Sequence, residues 1–173
     1  MNRSEILNSI SWKEEEEWFG TAQVVVPVLG GKIEIQFLVE NERDISDRSV
    51  RIVNELLQLD ESHLIKIKHF LWEDCKLYCE ATGYGFDVSE GKNETEVNHR
   101  EFGVFNETDA YRTSNLLYVM ICEEDEKFEG NYARLTFDNE WNGNLCVVVM
   151  KGGDIVGYGD DGLYIGEFED VST

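Results

Sequence analysis

The stretch NLLYVMICEEDEKFEGNYARLTFDNEWNGNLCVVVMKGGDIVGY, residues 115–158, decides the fold of this chain. Its apolar residues fall into three strong runs and one weaker run, at 116–122, 133–137, 145–150 and 155–158. Short charged or glycine-rich segments separate these runs. Connections this short join antiparallel strands, because a parallel pair needs a crossover of a dozen or more residues. The stretch therefore predicts a four-stranded β-meander, with Trp141 at the mouth of one turn.

A second pair of strands is predicted near the N-terminus. Residues 22–29 are rich in β-branched side chains, Gly30-Gly31 is typical of a hairpin turn, and residues 33–39 alternate between apolar and polar. Such alternation indicates a strand with one face on a core and one face in water. Pro27, the single proline, has no N–H to donate to a strand ladder. The first strand is therefore expected to lie at an edge or to bulge there.

Between this hairpin and the meander, the apolar period changes to that of helices. Ser46 is the predicted N-cap of a helix that ends near Leu59, and a second amphipathic helix is predicted at 63–82, with Gly83 as its C-cap. Two helices with a short joint form an αα-hairpin, which needs an apolar surface to pack on. The predicted fold is α+β: an antiparallel sheet of about six strands, built from the N-terminal hairpin and the C-terminal meander, with the αα-hairpin packed on one face.

The length of 173 residues suits a single domain that spans 1–173. The acidic N-terminal segment 1–20 and the C-terminal tail 159–173 are expected to be less ordered than the rest. Residues 83–113 show little regular period and many Gly, Asn and Thr residues. A long loop with a short helix around 108–114 is predicted there.

The charge balance narrows the classes of partner. The chain has 36 Asp and Glu residues against 15 Lys and Arg residues, which gives a formal net charge of −21. A field of this sign repels nucleic acid and anionic membranes, so neither is expected as a partner, and it attracts basic proteins or metal ions. The alternative is that the acidity only maintains solubility. The chain shows neither a signal-peptide pattern nor an apolar run that spans a membrane, which predicts a cytoplasmic location.

No metal or cofactor is predicted. The four cysteines, Cys75, Cys79, Cys122 and Cys146, have no zinc-like spacing, and the three histidines form no motif. Cys75 and Cys79 are expected on one face of a helix. Cys122 and Cys146 lie in apolar runs, where a free cysteine behaves as a small hydrophobic residue.

Enzymatic activity is not predicted either. The chain has no G-x-S-x-G elbow, and its glycine pairs are typical of turns rather than of phosphate-binding loops. One hypothesis keeps an enzyme open, because abundant carboxylates can serve a small metal-dependent or carboxylate-based hydrolase. A separate hypothesis is that Asp154, Asp160 and Asp161 gather around Ca²⁺ or Mg²⁺ at the end of the meander, although their spacing lacks the EF-hand pattern. The favoured interpretation is a binding protein without catalysis.

Acidic residues beside tryptophans mark the candidate surface for a basic partner. An aromatic anchor within a charged rim is typical of interfaces that steer a partner of opposite sign. The candidates are Glu14, Glu15, Glu16, Glu17, Trp18, Glu123, Glu124, Asp125, Glu126, Trp141, Asp160 and Asp161. For each tryptophan the alternative is a place in the core.

The order of these elements resembles a group of small bacterial domains of unknown function. The resemblance rests on WFGT (18–21) before a strand, on the glycine pair (30–31), and on LTFD (135–138) ahead of Trp141. The following turn, WNGN (141–144), lacks the acidic residue and the histidine of the family pattern, so no role of that histidine carries over. Some members look like immunity proteins, or antitoxins, encoded beside bacterial toxins. The resemblance thus implies an immunity protein. Together with the net charge and the missing catalytic motifs, it predicts a protein that binds and occludes a basic toxin. A structural module of a larger assembly is the alternative.

Overall fold

One seven-stranded sheet runs through the computed structural model, which describes residues 1–88 and 93–171. The strands lie in chain order, from β1 at one edge to β7 at the other. They are β1 (Ser11–Trp12), β2 (Phe19–Val26), β3 (Gly31–Leu38), β4 (Ser114–Cys122), β5 (Tyr132–Asn139), β6 (Leu145–Lys151) and β7 (Asp154–Gly159). The predicted hairpin is β2–β3, and the predicted meander is β4–β7.

Five α-helices accompany the sheet in this part of the chain. They are α1 (Arg3–Ser9), α2 (Asp47–Leu56), α3 (Glu61–Ala81), α4 (Glu94–Phe102) and α5 (Glu107–Arg112). Short 3₁₀ turns lie at Pro27–Leu29, Glu123–Lys127 and Ile165–Phe168. The α+β class is therefore confirmed. Pro27 follows the last residue of β2 and is the first residue of a 3₁₀ turn, a position where the missing N–H costs no hydrogen bond.

The junction between the two halves of the sheet corrects the prediction of an antiparallel sheet. β3 and β4 pair in parallel, with Ile35 opposite Val119 and Leu38 opposite Cys122. The other neighbouring strands pair antiparallel. Segment 39–113 is long enough to provide the crossover that a parallel pair needs, and its helices form that crossover. The sheet is therefore mixed.

The helical layer matches the predicted αα-hairpin only roughly. α2 and α3 are both present, and the Ser46 hydroxyl accepts from the backbone nitrogen of Ser49 at 2.9 Å, as an N-cap does. α3 contacts β6 and β7 on the sheet and also α4 and α5, whereas α2 contacts α1 and β4. The layer thus consists of α2 to α5 rather than of two helices.

Residues 83–113 were predicted to form a long loop with one short helix, and they contain two helices. The prediction of a loop is wrong for the residues of α4. The Asn93 side chain accepts from the backbone nitrogen of Glu96 at 2.8 Å, and the Glu96 carboxylate accepts from that of Asn93 at 3.2 Å. This capping box starts α4. The short helix predicted around 108–114 corresponds to α5. Residues 89–92 of the predicted loop lie outside the described residues.

The helices and one face of the sheet enclose the main core. Alternate side chains of the central strands are buried there because a strand turns successive residues to opposite faces: Ile35, Phe37, Val119, Ile121, Leu135 and Phe137. Leu71 of α3 is fully buried against them. The apolar face of α3 and the inward-facing side chains of the sheet thus pack together in one core.

Both terminal segments pack on this framework. Ile6 and Ile10 are buried in the main core, and a methyl group placed on Gly20 would lie 2.5 Å from Cγ2 of Ile10. On the opposite face of the sheet, Ile165 is 1% exposed and packs against Tyr132 and Val149. The lower order expected for 1–20 and 159–173 stays a prediction.

Candidate functional site

A groove runs along the face of the sheet that is turned away from the helices. Leu38 and Cys122 lie on this face, since their neighbours Phe37 and Ile121 point into the core. Two adjoining clefts, of about 350 Å³ and about 270 Å³, share Leu38 and Cys122. Together these clefts form the outer groove, with Trp18, Leu38, Tyr118, Met120, Cys122 and Leu163 as its floor and Glu40, Glu124 and Asp161 as its rim.

Trp18 is the exposed aromatic residue of the outer groove. Its side chain is 49% exposed although its backbone is fixed, because the Val39 nitrogen donates to the Trp18 carbonyl at 2.9 Å. The Phe19 ring lies edge-on to it at a centroid distance of 6.2 Å. A large apolar side chain held in water by a fixed backbone suits an anchor for a partner.

The rim of the outer groove carries uncompensated negative charge. Glu40, Glu124 and Asp161 are exposed, and within the described residues none of them forms an ion pair. Among the described lining residues, Arg134 is the basic one. Its guanidinium pairs with both oxygens of Asp125, at 2.6 Å and 3.1 Å, so its charge is already matched. The groove therefore favours cationic groups.

The Glu14–Glu17 candidates directly precede Trp18 in the chain and divide into two pairs. Glu14 and Glu15 are exposed. Glu16 pairs with Lys13 at 2.9 Å, and Glu17 pairs with Arg43 at 2.7 Å. Glu14 and Glu15 thus keep exposed carboxylates, and a partner contact at these four residues stays a prediction.

The candidates from 123 to 126 are mostly engaged inside the protein. Glu123 is 6% exposed and Asp125 is 9% exposed, so these two carboxylates are not part of the surface that a partner can contact. Glu126 is half-buried and accepts from the Ser46 hydroxyl. Glu124 is the exposed member of the run, and it lies on the groove rim.

Trp141 is a core residue rather than a surface anchor. It is 7% exposed, and its ring lies 6.1 Å from that of Tyr78 and 5.6 Å from that of Phe102. Phe102 belongs to α4, the helix that the sequence did not predict. Trp141 therefore does not provide the exposed anchor that was predicted, because α4 covers its ring.

The hypothesised Ca²⁺ or Mg²⁺ site is wrong in its geometry. Asp154 begins β7 and Asp160 follows its end, so this strand of six residues separates the two carboxylates by about 20 Å. Asp154 pairs with Lys66, with its two oxygens at 2.6 Å and 2.7 Å from the Lys66 ammonium. Asp160 accepts from the backbone nitrogen of Gly162 at 2.9 Å. Asp160 and Asp161 are exposed, and Asp161 lines the outer groove.

A buried polar chain joins α3 to the meander. The Asn139 side-chain nitrogen donates to Asp74 at 3.0 Å, and the Ser114 hydroxyl donates to the Asn139 oxygen at 2.8 Å. Asp74 is 4% exposed, and desolvation by this burial raises its pKa to about 7 in spite of the Asn139 hydrogen bond. The chain is closed to solvent, so it suits a role in fixing α3 on the sheet.

A second cluster, which the sequence did not predict, lies between α3 and α4. The sulfur atoms of Cys75 and Cys79, one helical turn apart, are separated by 4.0 Å. A ring nitrogen of His99 lies within 4.8 Å of both sulfurs. The local signal was the Cys-x-x-x-Cys spacing on one face of a helix. The contribution of His99 depends on α4, which sequence reasoning placed in a loop.

None of the helices in residues 1–88 and 93–171 has the length and apolar character needed to cross a bilayer.

Comparison with known proteins identifies a family and little more. The chain has no match among curated proteins or solved structures. A family model does match residues 7–170, which include every strand and nearly every helix described above. The chain belongs to the family described as a domain of unknown function, DUF6985.

Proposed function

We propose that this domain is a non-enzymatic protein-binding module that receives a basic partner in the outer groove. The observation that carries the proposal is an apolar floor flanked by three carboxylates that form no ion pair within residues 1–88 and 93–171. The floor supplies area to bury, and Trp18 supplies an anchor. Specific interfaces combine such a centre with a polar rim.

Charge supports a cationic partner in two ways. At long range, the net charge of −21 attracts basic proteins and accelerates their encounter. At short range, Glu40, Glu124 and Asp161 offer carboxylates to Lys or Arg side chains at the groove. Like charges at the same rim disfavour acidic partners, so the rim also contributes specificity.

The most concrete partner is a basic bacterial toxin, with this domain as its immunity protein. A toxin that acts on nucleic acid has a basic substrate surface, since it must bind phosphates. An acidic domain that covers such a surface competes with the substrate without any chemistry of its own. This proposal rests on the acidic groove and on the resemblance to predicted immunity proteins. It places the protein in the cytoplasm beside its toxin.

A capture experiment with the full chain tests the proposal. Tagged protein is incubated at low salt with lysate of the source organism, and the captured proteins are identified by mass spectrometry. The double variant Trp18→Ala/Glu124→Lys removes the anchor and reverses one rim charge. The matched control is Phe105→Ala/Asp87→Lys, which likewise removes an exposed aromatic ring and reverses an exposed acidic charge, at residues outside the groove.

We expect a basic protein to be captured by the wild type and by the control, and to be lost with the groove variant. Capture is expected to weaken as salt is raised, because the attraction is electrostatic. Recovery of the same protein by all three forms, or capture of acidic proteins alone, contradicts the proposal.

A further inference from the structure

We propose that Cys75, Cys79 and His99 form a zinc site that fastens α4 to α3. The three side chains come from two helices and converge in a region that the outer groove does not include. Two thiolates and an imidazole are ligands that zinc prefers over the oxygen ligands typical of Ca²⁺ and Mg²⁺.

The separations are close to those of a tetrahedral zinc centre. Zn–S bonds of about 2.3 Å and Zn–N bonds of about 2.0 Å place two sulfurs about 3.8 Å apart and a sulfur and a nitrogen about 3.6 Å apart. The sulfurs of Cys75 and Cys79 are 4.0 Å apart, and the His99 nitrogen is within 4.8 Å of each. Rotamer shifts of a few tenths of an ångström to about one ångström bring the set into bonding distance.

The histidine is held in a form that can bind a metal. Nδ1 of His99 lies 2.9 Å from the Val104 carbonyl oxygen. A carbonyl oxygen only accepts, so Nδ1 carries the proton and Nε2 keeps its lone pair. A hydrogen bond from one ring nitrogen to a backbone carbonyl is how proteins orient histidines that bind zinc through the other nitrogen.

α4 already docks on the turn of α3 that carries the second cysteine. The Asn98 side-chain nitrogen donates to the carbonyl oxygens of Cys79 and Thr82, at 2.9 Å and 3.1 Å. Asn98 is fully buried and precedes His99, so this contact fixes the approach of the histidine to the sulfurs. A metal bond at the same place completes an existing contact between the two helices.

Burial of the two thiols determines which charge states the site can hold. Cys75 and Cys79 are 0% and 1% exposed, and burial raises the pKa of both thiols. Two buried thiolates without a counter-ion are therefore disfavoured, and zinc supplies the positive charge that stabilises them. On binding, both thiols release their protons to solvent, and two Zn–S bonds form.

His99 is the least buried of the three ligands. His99 is half-buried and lines a cleft of about 340 Å³ together with Trp72, Lys76, Glu80, Glu96 and Phe105. Three protein ligands leave one tetrahedral position for water. The zinc ion thus acts as a cross-link between α3 and α4.

Cobalt provides a direct test, since Co²⁺ replaces Zn²⁺ in tetrahedral sites and reports its ligands by absorption. Reduced full-length protein is stripped with a chelator, desalted and titrated with Co²⁺. We expect sulfur-to-cobalt charge-transfer absorption and tetrahedral d–d bands that saturate at one equivalent and disappear on addition of Zn²⁺. Cys79→Ala removes one ligand, and Cys146→Ala is the matched control because Cys146 is also a buried free thiol.

The expected pattern is a full spectrum for wild type and for Cys146→Ala, and loss of charge transfer in Cys79→Ala. Zn²⁺ is expected to raise the melting temperature of the first two proteins and not of the third. If circular dichroism shows that Cys79→Ala does not fold, the wild-type spectrum decides alone. An octahedral spectrum without sulfur charge transfer, or an unchanged spectrum in folded Cys79→Ala, overturns the proposal.

Discussion

One carboxylate oxygen of Glu123 lies 2.7 Å from the backbone nitrogen of Ser46, at the start of α2. The Ser49 hydroxyl donates to the same oxygen at 3.3 Å, and the other oxygen accepts from the backbone nitrogen of Glu40 at 3.0 Å. Glu123 thus joins the turn after β4 to the chain that leaves β3, beside the parallel junction of the sheet. Its negative charge also lies at the N-terminus of a helix, where it is stabilising.

Replacing Glu123 by Ala is therefore expected to lower the free energy of unfolding by about 2–4 kcal/mol, because buried donors lose a charged acceptor. Urea denaturation followed by circular dichroism measures the change. Glu124→Ala is the control, since the adjacent carboxylate is exposed, and we expect its effect to stay within about 0.5 kcal/mol. Equal effects of the two substitutions would show that Glu123 has no structural role.

Asp74 is expected to make stability depend on pH. Burial raises the pKa of Asp74 far above the ordinary range of a carboxyl, to about 7 in the folded protein, so the folded state holds this proton more tightly than the unfolded state. The contribution of Asp74 to the free energy of unfolding is therefore fully present below pH 4 and is lost as the pH rises towards and through 7. Asp74→Asn, which keeps the shape of the side chain, is expected to remove this dependence.

The measurement is the difference in unfolding free energy between wild type and Asp74→Asn from pH 4 to pH 8, in the presence of a chelator. We expect the unfolding free energy of Asp74→Asn, relative to that of wild type, to increase by a few kcal/mol from pH 4 to pH 8. Parallel stability curves for the two proteins would refute the prediction.

Replacement of Trp141 and replacement of Trp18 are expected to destabilise the protein to very different extents. Trp141→Ala is expected to cost about 3–5 kcal/mol, because it leaves a cavity next to Tyr78 and Phe102. Trp18→Ala is expected to change stability by less than about 1 kcal/mol, since that side chain is half exposed. Chemical denaturation measures both, and comparable losses would contradict the placement of Trp18 on the surface.

Gly20 is expected to be intolerant of a side chain because of Ile10. A Cβ atom at position 20 would lie 2.5 Å from Cγ2 of Ile10 and 2.8 Å from Cε3 of Trp12. Gly20→Ala is therefore expected to destabilise the protein by about 1–3 kcal/mol. In a double-mutant cycle, the substitution should cost at least about 0.5 kcal/mol less when Ile10 is already Ala. Additive effects would indicate that the two residues do not touch.

The meander and the hairpin could be predicted from sequence because their signals are local. Strand alternation and the turn at Gly30 and Gly31, both with positive φ, depend on neighbouring residues. The parallel pairing of β3 and β4 depends on where the chain returns after segment 39–113, which no local pattern records. The Asn93 and Glu96 capping box was a local signal for α4, and it is visible in the sequence.

The candidate site shows the same limit at the level of single residues. Glu123 and Glu124 are identical and adjacent, yet one is buried under Ser46 and the other is exposed on the groove rim. Trp18 and Trp141 differ in the same way. Residue type and neighbouring charge predicted which residues can bind a partner, whereas tertiary packing decides which of them reach the surface.

The parallel pair of β3 and β4 has a consequence for how the molecule forms. Each half of the sheet is built from contacts between near neighbours in the chain, which close quickly. The seam between Ile35 and Val119 must instead wait until the intervening chain has collapsed into helices, because closing so long a loop is entropically unfavourable. We therefore expect the seam to be the last part of the sheet to assemble and the place where two molecules can exchange halves.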